Sequence, residues 1–113
     1  MSITNESVKN YDFLTGMYQD DYFPDFLVDK VKAILVGLCE KIEAQAPVSS
    51  EELFKLTHAA TESINELEEE FEENDSELET GAREVMAENF DFIVKAYGFD
   101  QVDIEDVIAP REW

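Results

Sequence analysis

From Ser49 to Phe71 the chain carries one unbroken helical pattern, and this limits the fold more than any other feature. Leu53, Leu56, Ala60, Ile64, Leu67 and Phe71 recur at three- and four-residue steps, the spacing that lines one face of an α-helix. Ser49 followed by Glu52 is a capping box, in which each side chain satisfies an otherwise orphan backbone donor. Glu51, four residues ahead of Lys55, adds a helix-supporting pair. Apolar members stop after Phe71, and Asn74-Asp75 reads as a turn. A helix apolar on one side only must bury that side against other elements.

Those elements show the same period. Between Pro24 and Gln45, Leu27, Val31, Ile34, Leu38 and Ile42 form a stripe that Leu35 and Cys39 widen. Pro24 suits the first turn of this helix, and Pro47 disfavours helical geometry in the residue before it. Ser76 with Glu79 repeats the capping-box signature and predicts a further helix with Leu78, Ala82, Val85, Met86, Ile93, Ala96 and Tyr97 on its core face, widened by Phe90. Gly98 is placed to close it in the left-handed conformation, with Phe99 packing back on Val94. A short helix is expected over Asn10–Tyr18 and a last turn after Asp103, stapled by Val102 and Val107 and ended by Pro110. Period-two alternation is absent over any useful length. The expectation is an all-α chain: an antiparallel bundle of three long helices with short helices at both ends. Residues 1–9 are expected to be a flexible N-terminus and 10–113 a single helical domain.

Composition narrows the function. With 113 residues the chain suffices for one domain. Its 44% hydrophobic and 12% aromatic content argues against disorder. The 28 acidic against 8 basic residues give a net charge of -20, which repels phosphates and speaks against direct nucleic-acid binding. The first residues lack the apolar core of a signal peptide, and no stretch approaches the roughly 20 residues that span a bilayer. Cys39 is the only cysteine, so a disulfide within the chain and a cysteine-based zinc site are both excluded. The expectation is a cytoplasmic protein with no membrane association and no cofactor.

The charge is unevenly spread: residues 1–48, 49–80 and 81–113 carry -4, -11 and -5. Such a run can serve solubility alone. As a functional surface, the hairpin from about Glu66 to Glu79 would dock a basic protein, with Glu66, Glu69, Glu70, Glu73, Asp75 and Glu77 as the contact set. Small inhibitors of basic nucleases or toxins, and nucleic-acid mimics, work by this physics. Within this run only Glu79 has a helical cation nearby, Arg83.

An enzymatic alternative rests on Glu69, Glu70, Glu73, Glu88 and Asp91, whose E-E-x-x-E and E-x-x-D spacing resembles the magnesium sites of all-α nucleotide pyrophosphohydrolases. A turn at Asn74-Asp75 separates Glu73 from Glu88 by nearly 20 Å along the axis, at about 1.5 Å per residue, which counts against one shared ion. His58 is the only histidine, too few for a di-iron bundle, and a nucleophile–base pair with Cys39 is opposed by the apolar stripe around the thiol. Tyr11, Phe13, Tyr18, Tyr22, Phe23 and Phe26 form an aromatic cluster that reads as core, as a protein-binding anchor, or as a contact with a second copy in a homodimer.

Several blocks carry a resemblance. They are Tyr11-Asp12-Phe13-Leu14, Met17-Tyr18-Gln19-Asp20-Asp21-Tyr22-Phe23-Pro24, Phe26-Leu27-Val28-Asp29-Lys30 and Leu56-Thr57-His58-Ala59-Ala60-Thr61. Glu73-Asn74-Asp75-Ser76-Glu77, Ala96-Tyr97-Gly98-Phe99 and Trp113 complete the set. Together they resemble a family of small, mostly bacterial proteins, domain of unknown function 5713, over nearly all of the chain. The resemblance implies a compact one-domain cytoplasmic protein and transfers no catalytic residue.

Overall fold

The protein is described by a computed structural model that covers residues 3–78 and 80–113. Six helices follow one another: α1 (Glu6–Lys9), α2 (Thr15–Tyr18), α3 (Asp25–Gln45), α4 (Ser50–Glu73), α5 (Thr80–Ala96) and α6 (Ile104–Val107). There is no strand among the described residues. Pro24 is the N-cap of α3, one position ahead of the expected first turn, where its fixed φ and missing N–H cost nothing. Ser49 caps α4 by accepting the Glu52 N–H (3.2 Å), while Glu52 accepts from Val48 (2.8 Å), one residue before the usual capping-box partner.

The long helices pack through one core. Leu27, Val28, Val31, Leu35, Leu38 and Ile42 of α3 are buried with Leu53, Ala60, Ile64 and Phe71 of α4 and Ala82, Met86, Phe90, Ile93 and Val94 of α5. Helix α3 packs most closely on α4, while α5 meets α1, α2, α3 and α6. The stripes are rotated from expectation. Ile34, Leu56 and Leu67 are half-buried, whereas Thr57 and Thr61 are fully buried. Their hydroxyls tolerate burial because they donate to the helix's own carbonyls, Phe54 (3.3 Å) and Thr57 (2.8 Å).

Helix ends follow local chemistry at two positions. After α4, the Ser76 N–H bonds the Phe71 carbonyl (2.9 Å) and the Asp75 N–H that of Glu72 (3.1 Å), with Asp75 left-handed at φ 60°. After α5, Phe99 bonds Val94 (2.9 Å) and Gly98 bonds Lys95 (3.0 Å), with Gly98 at φ 91°. Asp103 caps α6 through the Glu105 N–H (2.9 Å).

Two expectations are corrected. The helix expected over Asn10–Tyr18 shrinks to α2 (Thr15–Tyr18), because Asn10 caps the end of α1 and Leu14 takes a left-handed φ of 59° that no α-helix accommodates. Among the described residues ahead of Asn10, Asn5 caps α1 and donates to the Ala96 carbonyl (2.8 Å), and Val8 is buried. Helix α5 begins at Thr80 rather than Ser76. The buried Ser76 hydroxyl donates to the Tyr22 carbonyl (3.1 Å) and is not a helix cap. Glu79, the other half of the expected capping box and the expected partner of Arg83, lies outside the described residues.

Candidate functional site

The acidic run occupies the last turns of α4 and the turn that follows. Glu66, Glu69, Glu73, Asp75 and Glu77 are exposed, and none makes an ion pair with a described residue. Glu70 differs, since it pairs with Lys30 across the α3–α4 contact. Helical spacing offered this run only Arg83, and the packing of α3 on α4 adds Lys30. Lys30 lies forty positions away in sequence, and only helix packing brings it close. The neighbouring Glu68 carboxyl is held above its usual range by burial, and by the Glu112 and Glu72 charges beside it.

The turn is rigid. The fully buried Phe71 fixes it from within, meeting Phe23 edge to face with centroids 6.5 Å apart, and Ser76 ties it to Tyr22. Beside it, Tyr22 is 41% and Phe26 51% exposed. The aromatic cluster therefore divides: Phe13 and Phe23 are core, Tyr11 and Tyr18 are half-buried, and Tyr22 and Phe26 face water.

The enzymatic donor set stays dispersed. Glu69 and Glu73 are exposed on α4, Glu70 is paired, and on α5 Asp91 pairs with Lys95 (2.9 Å) while Glu88 is exposed. Among the described residues no three His, Cys, Asp or Glu side chains converge in a metal-binding arrangement. Cys39 and His58 engage different partners. Burial and the Glu43 charge push the Cys39 thiol up to about 12, so it stays protonated. His58 stacks on Phe54, and its Nε2 meets the Asp106 carbonyl (2.7 Å). With Asn65, which donates to Pro110 (3.0 Å) and accepts from Glu112 (2.8 Å), it clamps the C-terminal segment onto α4. Trp113 is thereby seated near Phe90 (6.4 Å), with Arg111 over its ring.

Two polar anchors escape sequence reasoning. Buried Asn89 accepts the Leu14 N–H (3.0 Å) and donates to the Val85 carbonyl (2.7 Å), holding Leu14 in its left-handed conformation. The spacing Ala82, Met86, Asn89, Ile93 is the signal that marks it as an inward-facing polar residue. Glu43 gathers the Thr4 N–H (2.8 Å) and hydroxyl (2.9 Å), the Asn5 N–H (3.1 Å) and the Tyr97 hydroxyl. Nothing in its sequence neighbourhood announces this role.

The Tyr97 hydrogen bond, assisted by Thr4 and Asn5, lowers the Glu43 carboxyl to about 2. A depressed folded value contributes stability above the unfolded value, and that contribution is lost as pH falls towards about 2. Glu43→Gln is expected to lower stability by about 1–2 kcal/mol at neutral pH. The gap between the native chain and the variant should narrow between about pH 5 and pH 2 in urea titrations. An equal gap at both ends of that range would exclude this role for the carboxylate.

These features define a small, acidic, all-helical protein whose charge is concentrated on one rigid helix end. The chain belongs to a family of unknown function, DUF5713, whose family model matches residues 7–113. No curated protein and no solved structure matches it.

Proposed function

We propose that this is a non-enzymatic cytoplasmic binding protein, of immunity or inhibitor type, that presents the acidic end of α4 and its turn to a basic protein. We read α3, α4 and α5 as an antiparallel arrangement that holds this surface rigid. The observation that carries the proposal is the set Glu66, Glu69, Glu73, Asp75 and Glu77, exposed along the end of α4 and its hydrogen-bonded turn with no described cation in ion-pair contact. Carboxylates concentrated in this way attract a cationic surface and speed its encounter. Exposed Tyr22 and Phe26 alongside supply apolar area of the kind that anchors protein interfaces. Glu70 joins this set while bridged to Lys30, a pair that a partner's arginine would have to displace.

Affinity capture from the native cell tests the reading. The native chain should retain a basic protein at low salt and release it as salt shortens the Debye length to well below about 8 Å. A variant carrying Glu73→Lys, Asp75→Lys and Glu77→Lys, verified as folded by circular dichroism, should retain none of it. Equal retention by the variant, or recovery of no basic protein, would end the proposal.

A further inference from the structure

The contact between the N-terminal segment and α5 carries its own chemistry. Between the 10–16 segment and the middle of α5 lies a cleft of about 400 Å³, whose polar lining comes from Asn10, Tyr11, Asp12, Thr15, Glu88 and Asn89. A second cleft of about 440 Å³ adjoins it, lined by Met17, Asp20, Tyr22, Phe23 and Gly81. Gly16 and Val85 line both, so the two halves meet where α2 crosses α5. That crossing is close: a Cβ on Gly16 would lie 2.8 Å from a Val85 methyl carbon, so a side chain there would displace the Val85 side chain. Both volumes fall in the range of small-molecule sites.

The lining restricts the ligand. Its charged residues are Asp12 and Glu88 on one side of the crossing and Asp20 on the other. None of the three makes an ion pair with a described residue, and Asp20 accepts a hydrogen bond from the Tyr22 N–H (2.9 Å). Anions are therefore repelled. A bare divalent ion finds no converging donor set among the described residues. An ammonium group, by contrast, is satisfied by a carboxylate and by a hydroxyl acceptor such as that of Thr15. The crossing between the acidic halves offers only the glycine backbone and the valine methyls, which suit methylene groups. The wall is also preorganised, because Asn89 ties Leu14 to α5 from beneath.

We propose that this double cleft binds a free linear aliphatic polyamine. One ammonium group lies at Asp12 and Glu88, a second at Asp20, and the methylene chain crosses Gly16 and Val85. The cleft shares Tyr22 with the edge of the proposed docking surface, but its carboxylates are not those of α4 and it does not rest on the docking proposal.

Calorimetry and amide NMR on the full chain in about 150 mM salt, where diffuse counterion attraction is screened, test it. The probes are spermidine, 1,4-diaminobutane and butylamine. Spermidine should bind tightest and butylamine weakest, with shifts centred on Tyr11, Thr15, Gly16 and Val85. Asp12→Asn and Glu88→Gln should each weaken spermidine by about tenfold, the size expected for one charge-assisted contact. Glu73→Gln, on the other acidic surface, should change it less than about twofold, within the range of a lost screened surface charge. Equal binding of butylamine and spermidine would overturn the proposal. So would equal weakening by Glu73→Gln and Glu88→Gln, since either outcome would mean unspecific attraction to an anionic chain.

Discussion

Phe71→Ala is expected to remove about 3–5 kcal/mol of folding stability, the cost of truncating a large, fully enclosed aromatic side chain. Domains of this size have only about 5–15 kcal/mol in total. The loss should therefore lower the urea midpoint sharply. The effect is magnified by position: Phe71 meets Phe23 in the core, and its carbonyl accepts the Ser76 N–H that shapes the acidic turn. Hydrogen exchange in the variant should accelerate at Ser76 and Asp75 before it does in the middle of α4. A midpoint displaced by less than about 1 kcal/mol would show that the turn is held by something other than this ring.

Asn89→Leu should cost about 2–3 kcal/mol although it adds apolar volume to the core. The Leu14 N–H is buried and has the Asn89 oxygen as its acceptor, so leucine strands a donor away from water. It also removes the contact that keeps a branched residue at φ 59°, a conformation unfavourable in itself. A hydrophobic core position behaves oppositely, because there leucine in place of asparagine stabilises. Equilibrium denaturation combined with exchange at the Leu14 amide separates the two. A variant as stable as the native chain, with Leu14 still protected, would remove Asn89 from its structural role.

Both residues illustrate what local pattern can and cannot reveal. Phe71 ends a stripe of six apolar positions and was visible as core. Asn89 occupies an equivalent inward position in its own helix, but what it bonds there is hidden unless the left-handed Leu14, 75 residues earlier, is known. The acidic surface was legible because exposure of glutamates follows from their cost of burial. The Lys30–Glu70 bridge within it was not, since it depends on how α3 and α4 are rotated against each other. Ser76 carried a helix-start signature, but its hydroxyl found the Tyr22 carbonyl before any helix began.

Taken alone, the amino-acid order determined the all-helical class, the positions of the long helices, the closures at Ser49, Gly98 and Asp103, and the concentration of charge after Ile64. Each of these arises from interactions spanning three to six residues, which a linear pattern displays directly. Tertiary structure alone decided that Glu43 collects four donors from Thr4, Asn5 and Tyr97, that Asn65 and His58 clamp the C-terminal segment, and that Gly16 meets Val85 beneath two acidic clefts. The partners in those contacts lie 38 to 69 positions apart, and only burial of the shared core fixes their distance and rotation.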